Sequence, residues 1–414
     1  MRHPLLAVPE TYLAGKSVAV TSVCSAHPVV IEAALLHARD RGGSALIEAT
    51  CNQVNQDGGY TGMTPADFRL FVERIAQEAG CGEVGIILGG DHLGPNPWKD
   101  LPAGEAMAKA GEMIAAYARA GFTKLHLDTS MGCAGEPVAL DDATTAARAA
   151  ELARIAEEVA PGVPVYVIGT EVPVPGGALE DLDHLQVTDA AAVRETHAVH
   201  KAAFAEAGVS GAFDRVIALV VQPGVEFGHS DVVQFEPEKA VELTAVLSDL
   251  PGVVFEAHST DYQTPANLAA LARGGFCIQK VGPWLTFALR EALYGLDAIA
   301  DVLEGGVPTG GLMAAMEGVM LEAPKNWAKY YSTDPATARI QRHFSLSDRI
   351  RYYWPGEVAE AAVRRVLDRL GDREIPGPVV RQFLPHVDRS DRGLTAREAL
   401  IGAVRDVLAR YPSG

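Results

Sequence analysis

The chain has 414 residues, of which 48% are hydrophobic, and its formal net charge at pH 7 is -18. This apolar content is enough for one large core with an appended domain, or for two domains. The acidic balance excludes nucleic acid and anionic membranes as expected partners, and no apolar run approaches the ~20 residues of a membrane span. The five cysteines are scattered and form no CxxC pair, which is typical of a reduced, cytoplasmic protein.

Short apolar runs alternate with longer Ala-rich runs along the chain. Consecutive β-branched and apolar residues are typical of strands that are buried on both faces. Eight such runs are predicted strands, at residues 17–25, 44–50, 83–90, 124–130, 164–172, 215–224, 253–260 and 276–282. Thr64-Pro65 and Thr264-Pro265 each place a capping hydroxyl before a proline, which predicts a helix start. Eight strand–helix units favour a (β/α)8 TIM barrel; an open doubly wound sheet is the alternative.

The residues after the eighth unit have helical periodicity. We therefore predict a TIM barrel over residues 1–306 and a C-terminal helical extension over residues 307–414, packed on the barrel or forming an oligomerisation surface. A long insertion at residues 172–188 follows the fifth strand, and long loops in compact domains are usually functional or mobile. In the extension, Arg349 and Arg351 could reach a terminal phosphate, although a solvated helix face is the default interpretation.

Every predicted strand carries polar or ionisable residues towards its carboxyl end, where TIM barrels form their active sites. In chain order these are Ser25 and His27; Glu48 and Thr50; Asp91 and His92; His126, Asp128 and Ser130; Thr170 and Glu171; Gln222 and Glu226; Glu256, His258 and Asp261; and Lys280. Buried carboxylates are costly without partners, and a divalent metal is an economical partner for several carboxylates and imidazoles. Histidine with Asp or Glu suits Zn²⁺, which is the expected ion; Mn²⁺ and Mg²⁺ are alternatives.

Asp91 and His92 stand side by side in LGGDHLGPN, where an apolar strand ends. Asp91 is predicted to act as general base, and His92 to ligate a metal that polarises a substrate carbonyl. His258 is a second predicted ligand, because a pair of histidines at two strand ends favours ligation over packing in the core. For His126, orienting a ligand is as consistent with the pattern as ligation is. Glu171, at the end of the fifth strand, is the other predicted catalytic residue.

The loop CNQVNQDGGYTGMTP after the second strand is long, polar and rich in glycine. Its hydrogen-bonding groups suit a polyol or a sugar phosphate, so Asn52 and Gln53 are predicted to bind substrate. Asp128 and Ser130, at the end of the fourth strand, are predicted to do the same. Lys280 is also a predicted substrate contact, and pairing with Glu256 or Asp261 is its structural alternative.

Several long motifs resemble one family over the chain from residue 17 to the extension. They are SVCSAHPVVIEAAL, LIEATCNQVNQDGGYTGMTPADF, ILGGDHLGPNPW, FTKLHLDTSM and VGPWLTFALREALYGL. The resemblance is to the Z-type subunit family of D-tagatose-1,6-bisphosphate aldolase, and it implies a class II aldolase barrel. Such barrels share an Asp-His pair that supplies base and metal ligand, matched by Asp91 and His92. They also share a histidine in an HGxS-like segment, which His258 in EAHSTD resembles.

Two positions depart from the family of catalytic aldolases. Those enzymes carry a further ligand histidine after the sixth strand, where GVEFGHS has Phe227 in the nearest equivalent place. Glu226 is therefore predicted as the third ligand, with His229 or Glu171 as alternatives. The eighth strand of the catalytic aldolases brings an asparagine to the dihydroxyacetone phosphate end, and here that place reads Val281-Gly282-Pro283.

The resemblance implies a subunit that supports the activity and stability of a separate catalytic Y-type subunit, in an oligomer that handles a ketose phosphate in galactitol and N-acetylgalactosamine catabolism. The alternative is a self-sufficient, metal-dependent 4-epimerase of a ketose or ketose phosphate. An older family label, tagatose-6-phosphate kinase, has no support in the residues. The sequence contains neither a Walker A motif nor a kinase Gly-rich loop with a paired lysine.

Overall fold

Eight parallel strands close into a barrel in the computed structural model, which describes residues 2–169, 185–387 and 393–412. The strands follow one another around the barrel in chain order, and the last one pairs with the first. The barrel strands are β1 (Val20–Cys24), β2 (Ser44–Thr50), β3 (Gly85–Leu93), β4 (Lys124–Leu127), β5 (Val165–Ile168), β6 (Val216–Val220), β9 (Val254–Ala257) and β10 (Ile278–Val281); β7 (Glu226–Phe227) and β8 (Val232–Val233) form a separate antiparallel ribbon. The predicted TIM barrel is confirmed, and the open sheet is excluded.

Helices follow the barrel strands, and further helices form the C-terminal part of the chain. They are α1 (Ala7–Leu13), α2 (Pro28–Arg41), α3 (Pro65–Glu78), α4 (Ala103–Arg119), α5 (Asp142–Val159), α6 (Ala190–Glu206), α7 (Ser210–Phe213), α8 (Val241–Ala245), α9 (Pro265–Arg273), α10 (Pro283–Leu303), α11 (Gly311–Glu322), α12 (Pro335–Phe344), α13 (Glu357–Leu370), α14 (Gly377–Phe383) and α15 (Ala396–Leu408). None of these helices combines the length and the apolar run that a bilayer crossing demands.

Both Thr-Pro signals start helices as predicted. The Thr64 hydroxyl accepts a hydrogen bond from the backbone N–H of Asp67, and the Asp67 carboxylate accepts one from the backbone N–H of Thr64. Thr264 caps α9 by accepting from the backbone N–H of Asn267. These bonds satisfy amide groups that have no partner inside the helix.

Replacing Thr64 by alanine should lower the free energy of unfolding by about 1 kcal/mol, because α3 then loses its cap. Urea unfolding followed by circular dichroism measures the change. Thr11→Ala is the matched control, since the Thr11 hydroxyl donates to the carbonyl of Ala7 inside α1 and caps nothing. Equal effects of the two substitutions would contradict the capping role of Thr64.

The interior of the barrel changes character along its axis. An apolar cluster joins the strand residues Leu46, Val165 and Ile217 to Leu5 and Val8 of the N-terminal segment. Polar and charged side chains occupy the interior beyond this cluster, towards the carboxyl ends of the strands. The closed apolar end leaves the carboxyl end as the place where a ligand can enter.

The C-terminal helices return to the barrel. Helix α15 packs against α10 and α2, and the Arg405 guanidinium pairs with Asp40 of α2 at 2.6 Å. Arg397 of α15 also pairs with Glu32 of α2. The residues after 306 therefore pack on the barrel, while a domain boundary at residue 306 stays a prediction. The insertion at residues 172–188 lies mostly outside the described residues.

Candidate active site

A cavity of about 110 Å³ lies at the carboxyl ends of the barrel strands. Its lining includes six of the predicted site residues, namely Asn52, Gln53, Asp91, His92, His258 and Lys280. Residues from opposite sides of the barrel and from distant parts of the chain therefore meet in one place. Glu171 lies outside the described residues, so its predicted catalytic role stays a prediction.

The end of β3 explains how neighbouring residues can serve one site. The pairing of β3 with β4 shifts register between Gly90 and Leu93, and His92 has a positive φ of 50°. This local turn relaxes the alternation of side chains that a regular strand imposes. Gly89 contributes space, since a Cβ atom there would lie 2.7 Å from Cγ of Glu48. Asp91 and His92 consequently both line the cavity.

A network of buried ion pairs forms the floor of the site. Lys124 is fully buried, and its ammonium lies 2.6 Å from Oε1 of Glu48 and 2.7 Å from Oε2 of Glu256. The Lys280 ammonium lies 2.7 Å from the other oxygen of Glu48 and 3.3 Å from Oε1 of Glu256, and it also contacts Asp91. Each ammonium thus holds carboxylates from separate strands in fixed positions, as buried ionic groups require.

The network keeps its members ionised despite burial. Burial alone would raise the pKa of Asp91, but the charges of His92 and Lys280 hold that pKa well below its usual range. Burial would lower the pKa of Lys280, but Asp91 and the other nearby acids raise it well above the ordinary value. Burial likewise opposes ionisation of Glu256, yet Lys124 and Lys280 lower its pKa. The site is therefore a set of fixed charges at neutral pH.

Three imidazole rings stand beside these charges, with centroids 4.9 to 5.2 Å apart. His92 Nδ1 lies 2.8 Å from Asp128, His126 Nδ1 lies 2.8 Å from Asp91, and His258 Nε2 lies 3.1 Å from Glu256; these are the rings' carboxylate partners. Burial lowers the pKa of His258 to about 3, so its ring is neutral at physiological pH. A neutral imidazole is the form that binds metals.

Four of these residues can hold a metal ion. One ligand atom from each of Asp91, His126, Glu256 and His258 lies within 4.8 Å of the others. Nε2 of His126 is buried and has no hydrogen-bond partner among the described residues, which leaves it available for a ligand. Two nitrogen and two oxygen donors suit Zn²⁺ or Mn²⁺.

The charges of the cluster also suit a cation. Three carboxylates, Glu48, Asp91 and Glu256, face the two ammonium groups of Lys124 and Lys280, and a fourth, Asp128, faces the His92 ring. The carboxylates thus outnumber the ammonium groups by two, and this excess of fixed negative charge favours a divalent cation.

The predicted ligand set of His92, Glu226 and His258 is only partly brought together. His258 belongs to the four-residue group. His92 stands beside it, oriented by Asp128 and with Nε2 3.8 Å from Asp91 Oδ2, an arrangement typical of metal-binding histidines. Its ligand role stays a prediction.

Glu226 is not placed as a ligand. It lies on the β7–β8 ribbon, where its Oε1 accepts a hydrogen bond from the backbone N–H of Phe227 at 3.0 Å. The alternative, His229, uses both ring nitrogens in contacts with Ser345 Oγ and the Tyr330 carbonyl. Within the described residues, His126 and Glu256 therefore stand where the sequence suggested Glu226 or His229.

Asp128 and Ser130 lie behind His92 and not on the cavity. One Asp128 oxygen contacts His92 Nδ1, and the other accepts from the Ser130 hydroxyl at 3.0 Å. Burial opposes ionisation of Asp128, but its hydrogen bond with His92 and the charges of the nearby histidines lower its pKa to about 2. Both residues are thus placed to orient His92, and their predicted contact with substrate stays a prediction.

The sequence pattern missed two basic residues of the site. Lys124 stands at the start of β4, whereas the sequence pattern points to strand ends, where TIM barrels form their active sites. Its inward face could have been inferred from its spacing of two from His126. Arg351, interpreted by default as part of a solvated helix face, lines the cavity instead.

The fold and this cluster define a class of protein: a (β/α)8 barrel that gathers imidazoles and carboxylates at the carboxyl ends of its strands, where a divalent metal could bind. More particularly, the chain belongs to the D-tagatose-1,6-bisphosphate aldolase subunit GatZ/KbaZ-like family, which it matches over residues 5–414. It is 53% identical over 403 residues to a D-tagatose 6-phosphate 4-epimerase from Agrobacterium fabrum, covering 96% of this chain and 95% of that protein.

Two crystal structures are similar to the chain over most of its length. A probable tagatose 6 phosphate kinase from Sinorhizobium meliloti 1021 shares 55% identity with a TM-score of 0.88, covering 95% of this chain and 99% of that one. The fructuronate-tagaturonate epimerase UxaE from Cohnella laeviribosi shares 12% identity with a TM-score of 0.52, covering 95% and 81%. The second likeness concerns the fold alone. The family expected from the sequence motifs is confirmed, and the activity named for the Agrobacterium relative matches the alternative expectation, not the aldolase subunit.

Proposed function

We propose that this protein is a metal-dependent ketose-phosphate 4-epimerase that interconverts D-tagatose 6-phosphate and D-fructose 6-phosphate without a second subunit. The observation that carries the proposal is the convergence of Asp91, His126, Glu256 and His258 within 4.8 Å in one chain. A single chain that can hold its own metal has no need of a partner's ligands. The name of the 53% identical relative supports the choice of substrate.

The metal would be held by the four-residue group, with His92 beside it. When bound, a divalent ion supplies polarisation of the C2 carbonyl of the ketose. Asp91 suits this ligand set better than its predicted role as general base, because its strongly lowered pKa makes it a weak proton acceptor. Lys280 and Lys124 fix the carboxylates in place, so that little reorganisation is needed when charge develops.

The two sugars differ only at C4, and C4–H is not adjacent to the C2 carbonyl, so it is not acidic. Removing the proton of the O4 hydroxyl group requires a lower activation barrier than removing the proton of C4. A base takes the O4 proton, the C3–C4 bond breaks, its electron pair forms a C2–C3 enediolate, and C4 becomes an aldehyde. The aldehyde turns to present its other face, the C3–C4 bond forms again, and O4 recovers a proton. Atoms and electrons balance, and the product is the C4 epimer.

Asp261 is placed to handle the O4 proton. It lines the cavity, and one of its oxygens accepts from the backbone N–H groups of Gly282 and Trp284 at 3.0 and 2.8 Å. Burial raises the pKa of Asp261 to about 6 and that of nearby Glu226 to about 7. A proton acceptor is most effective when its pKa lies near the working pH. These two carboxyl groups are better matched to proton transfer than Asp91 is.

The direct test is to incubate the chain alone, loaded with Zn²⁺ or Mn²⁺, with D-tagatose 6-phosphate. We expect D-fructose 6-phosphate to form, the reaction to stop on chelation, and ¹³C NMR in D₂O to show no deuterium at C4. Deuterium at C4 would contradict the cleavage and rejoining of C3–C4. A chain that is inactive alone but accelerates a separate subunit's cleavage of tagatose 1,6-bisphosphate would overturn the proposal in favour of the aldolase subunit.

A further inference from the structure

Two chemically different groups of residues line the cavity. The first is the cluster of carboxylates, imidazoles and Lys280 on the barrel strands. The second consists of Tyr60, from the loop after β2, and Arg351 and Tyr352, from the C-terminal extension. The second group has no place in the reaction at C3 and C4. Its chemistry is that of a cation set among aromatic rings.

Arg351 is held in position by its own segment of chain. Its Nη1 donates to the backbone carbonyls of Ser347 and Asp348, the latter at 3.1 Å, and its Nη2 donates to the Tyr352 hydroxyl at 2.9 Å. The guanidinium also lies over the Tyr352 ring, 4.5 Å from its centroid. That ring meets Tyr60 edge to face, with centroids 5.0 Å apart. These contacts give the cation a fixed place before any ligand arrives.

Within the described residues, the Arg351 guanidinium forms no ion pair. Asp348 and Asp261 act on Arg351 only through longer-range electrostatics, since no carboxylate oxygen of the described chain lies within 4.0 Å of it, although Asp261 lines the same cavity. A guanidinium has five N–H donors, and the carbonyls and the tyrosine leave Nε–H and one Nη2–H without a partner in the described chain. Lys280, by contrast, is committed to three carboxylates. Arg351 is therefore the cation of this cavity that can still accept an anion.

We propose that Arg351 binds the phosphate group of the substrate and so makes the enzyme selective for phosphorylated ketoses. The inference rests on the proposed function, because it places the C6 phosphate of the sugar at Arg351 and the C2 carbonyl at the metal cluster. Phosphate and carbonyl stand at opposite ends of a ketose 6-phosphate, so one molecule can present a different end to each group of lining residues. Arginine suits this task, since its planar fork can make two parallel hydrogen bonds to phosphate oxygens. The C-terminal extension thereby becomes part of the substrate site.

The test compares kcat/KM for D-tagatose 6-phosphate with kcat/KM for unphosphorylated D-tagatose. In Arg351→Gln we expect the ratio of the two values to fall on the order of 100-fold, because two charge-assisted hydrogen bonds are lost. Arg351→Lys keeps the charge but not the fork, and should lower the ratio by about 10-fold. It also serves as the reference if the glutamine variant folds poorly. An unchanged ratio in both variants would overturn the inference and leave the epimerase proposal intact.

Arg364→Gln is the matched control. Arg364 is exposed on α13 and lines a neighbouring cavity, but not the candidate site, so the ratio should not change. If the parent protein epimerises neither sugar, the proposed function fails, and the inference is judged by thermal melting with fructose 6-phosphate. A rise in melting temperature on adding fructose 6-phosphate that is lost in Arg351→Gln and kept in Arg364→Gln supports the phosphate subsite. Equal protection in both, or none in the parent protein, overturns it.

Discussion

Replacing His258 by alanine should remove the bound metal and lower epimerase activity by at least roughly 1,000-fold, since a metal supplies several kcal/mol of stabilisation where charge develops. His258 has a neutral, buried ring within the four-residue group, and alanine offers no donor in its place. Metal content by mass spectrometry of the purified variant should fall from about one ion per chain to a small fraction of that. Activity measured at saturating added Zn²⁺ or Mn²⁺ separates lost affinity from lost chemistry.

A pair of variants distinguishes the ligand set of the structure from that expected from the sequence. His126→Ala should lose metal as His258→Ala does, because a ring nitrogen of His126 belongs to the group and its Nε2 has no hydrogen-bond partner in the described chain. Glu226→Gln should retain it, because that carboxyl is bonded to the backbone of Phe227 on the β7–β8 ribbon. Metal loss in Glu226→Gln with retention in His126→Ala would restore the sequence-based assignment. Circular dichroism should show that all three variants are folded.

The barrel could be predicted because its signal is local and repeated. A strand buried on both faces must be apolar at consecutive positions, and eight such runs with helices between them admit few other folds. The conformation of the segment SLSDRIRYYW is harder to predict, because its amphipathic pattern suggests a regular helix. In the structure residues 349–353 form a short 3-10 helix, with the Arg349 guanidinium 3.4 Å from the centroid of the Tyr330 ring. Contacts with a distant residue, which the local pattern does not contain, determine this conformation.

The site was predictable where strand ends alone decide it. Asp91, His92 and His258 lie at the carboxyl ends of buried strands and meet at one rim, as barrel geometry requires. The position of Glu226 could not be inferred from the sequence, because two strand-like residues after β6 turn into a separate ribbon, and a turn of this kind has no periodic signal. Lys124 was missed for a different reason. Its long side chain carries the charge away from its backbone position, so that a residue at a strand start reaches Glu48 and Glu256.

Replacing Lys124 by methionine should lower the free energy of unfolding by about 3–5 kcal/mol, the usual cost of removing one partner from a buried ion pair. Methionine retains much of the apolar stem, so the loss reports mainly the missing charge. Two fully buried carboxylates, Glu48 and Glu256, would then lack the ammonium that lies 2.6 and 2.7 Å from them. Lys280 alone would have to balance both of these carboxylates and Asp91. Urea unfolding at pH 7, followed by circular dichroism, measures the difference.

Lys239→Met is the matched control, because the Lys239–Glu236 pair is exposed to solvent and such pairs contribute little to stability.

The dependence of stability on pH gives a second test. Since the folded-state pKa of Glu256 lies below its unfolded value, its ion pairs contribute stability at neutral pH, and this contribution is lost as the pH falls through the folded-state pKa. In Lys124→Met, Glu256 loses one of the two ammonium groups that lower its pKa, so it can take up a proton at higher pH than in the parent protein. The difference in free energy of unfolding between the parent protein and Lys124→Met should therefore become smaller as the pH falls from 7 to about 4. If the two proteins are equally stable at pH 7, or if their difference in stability widens in acid, Glu256 does not depend on Lys124 for its charge.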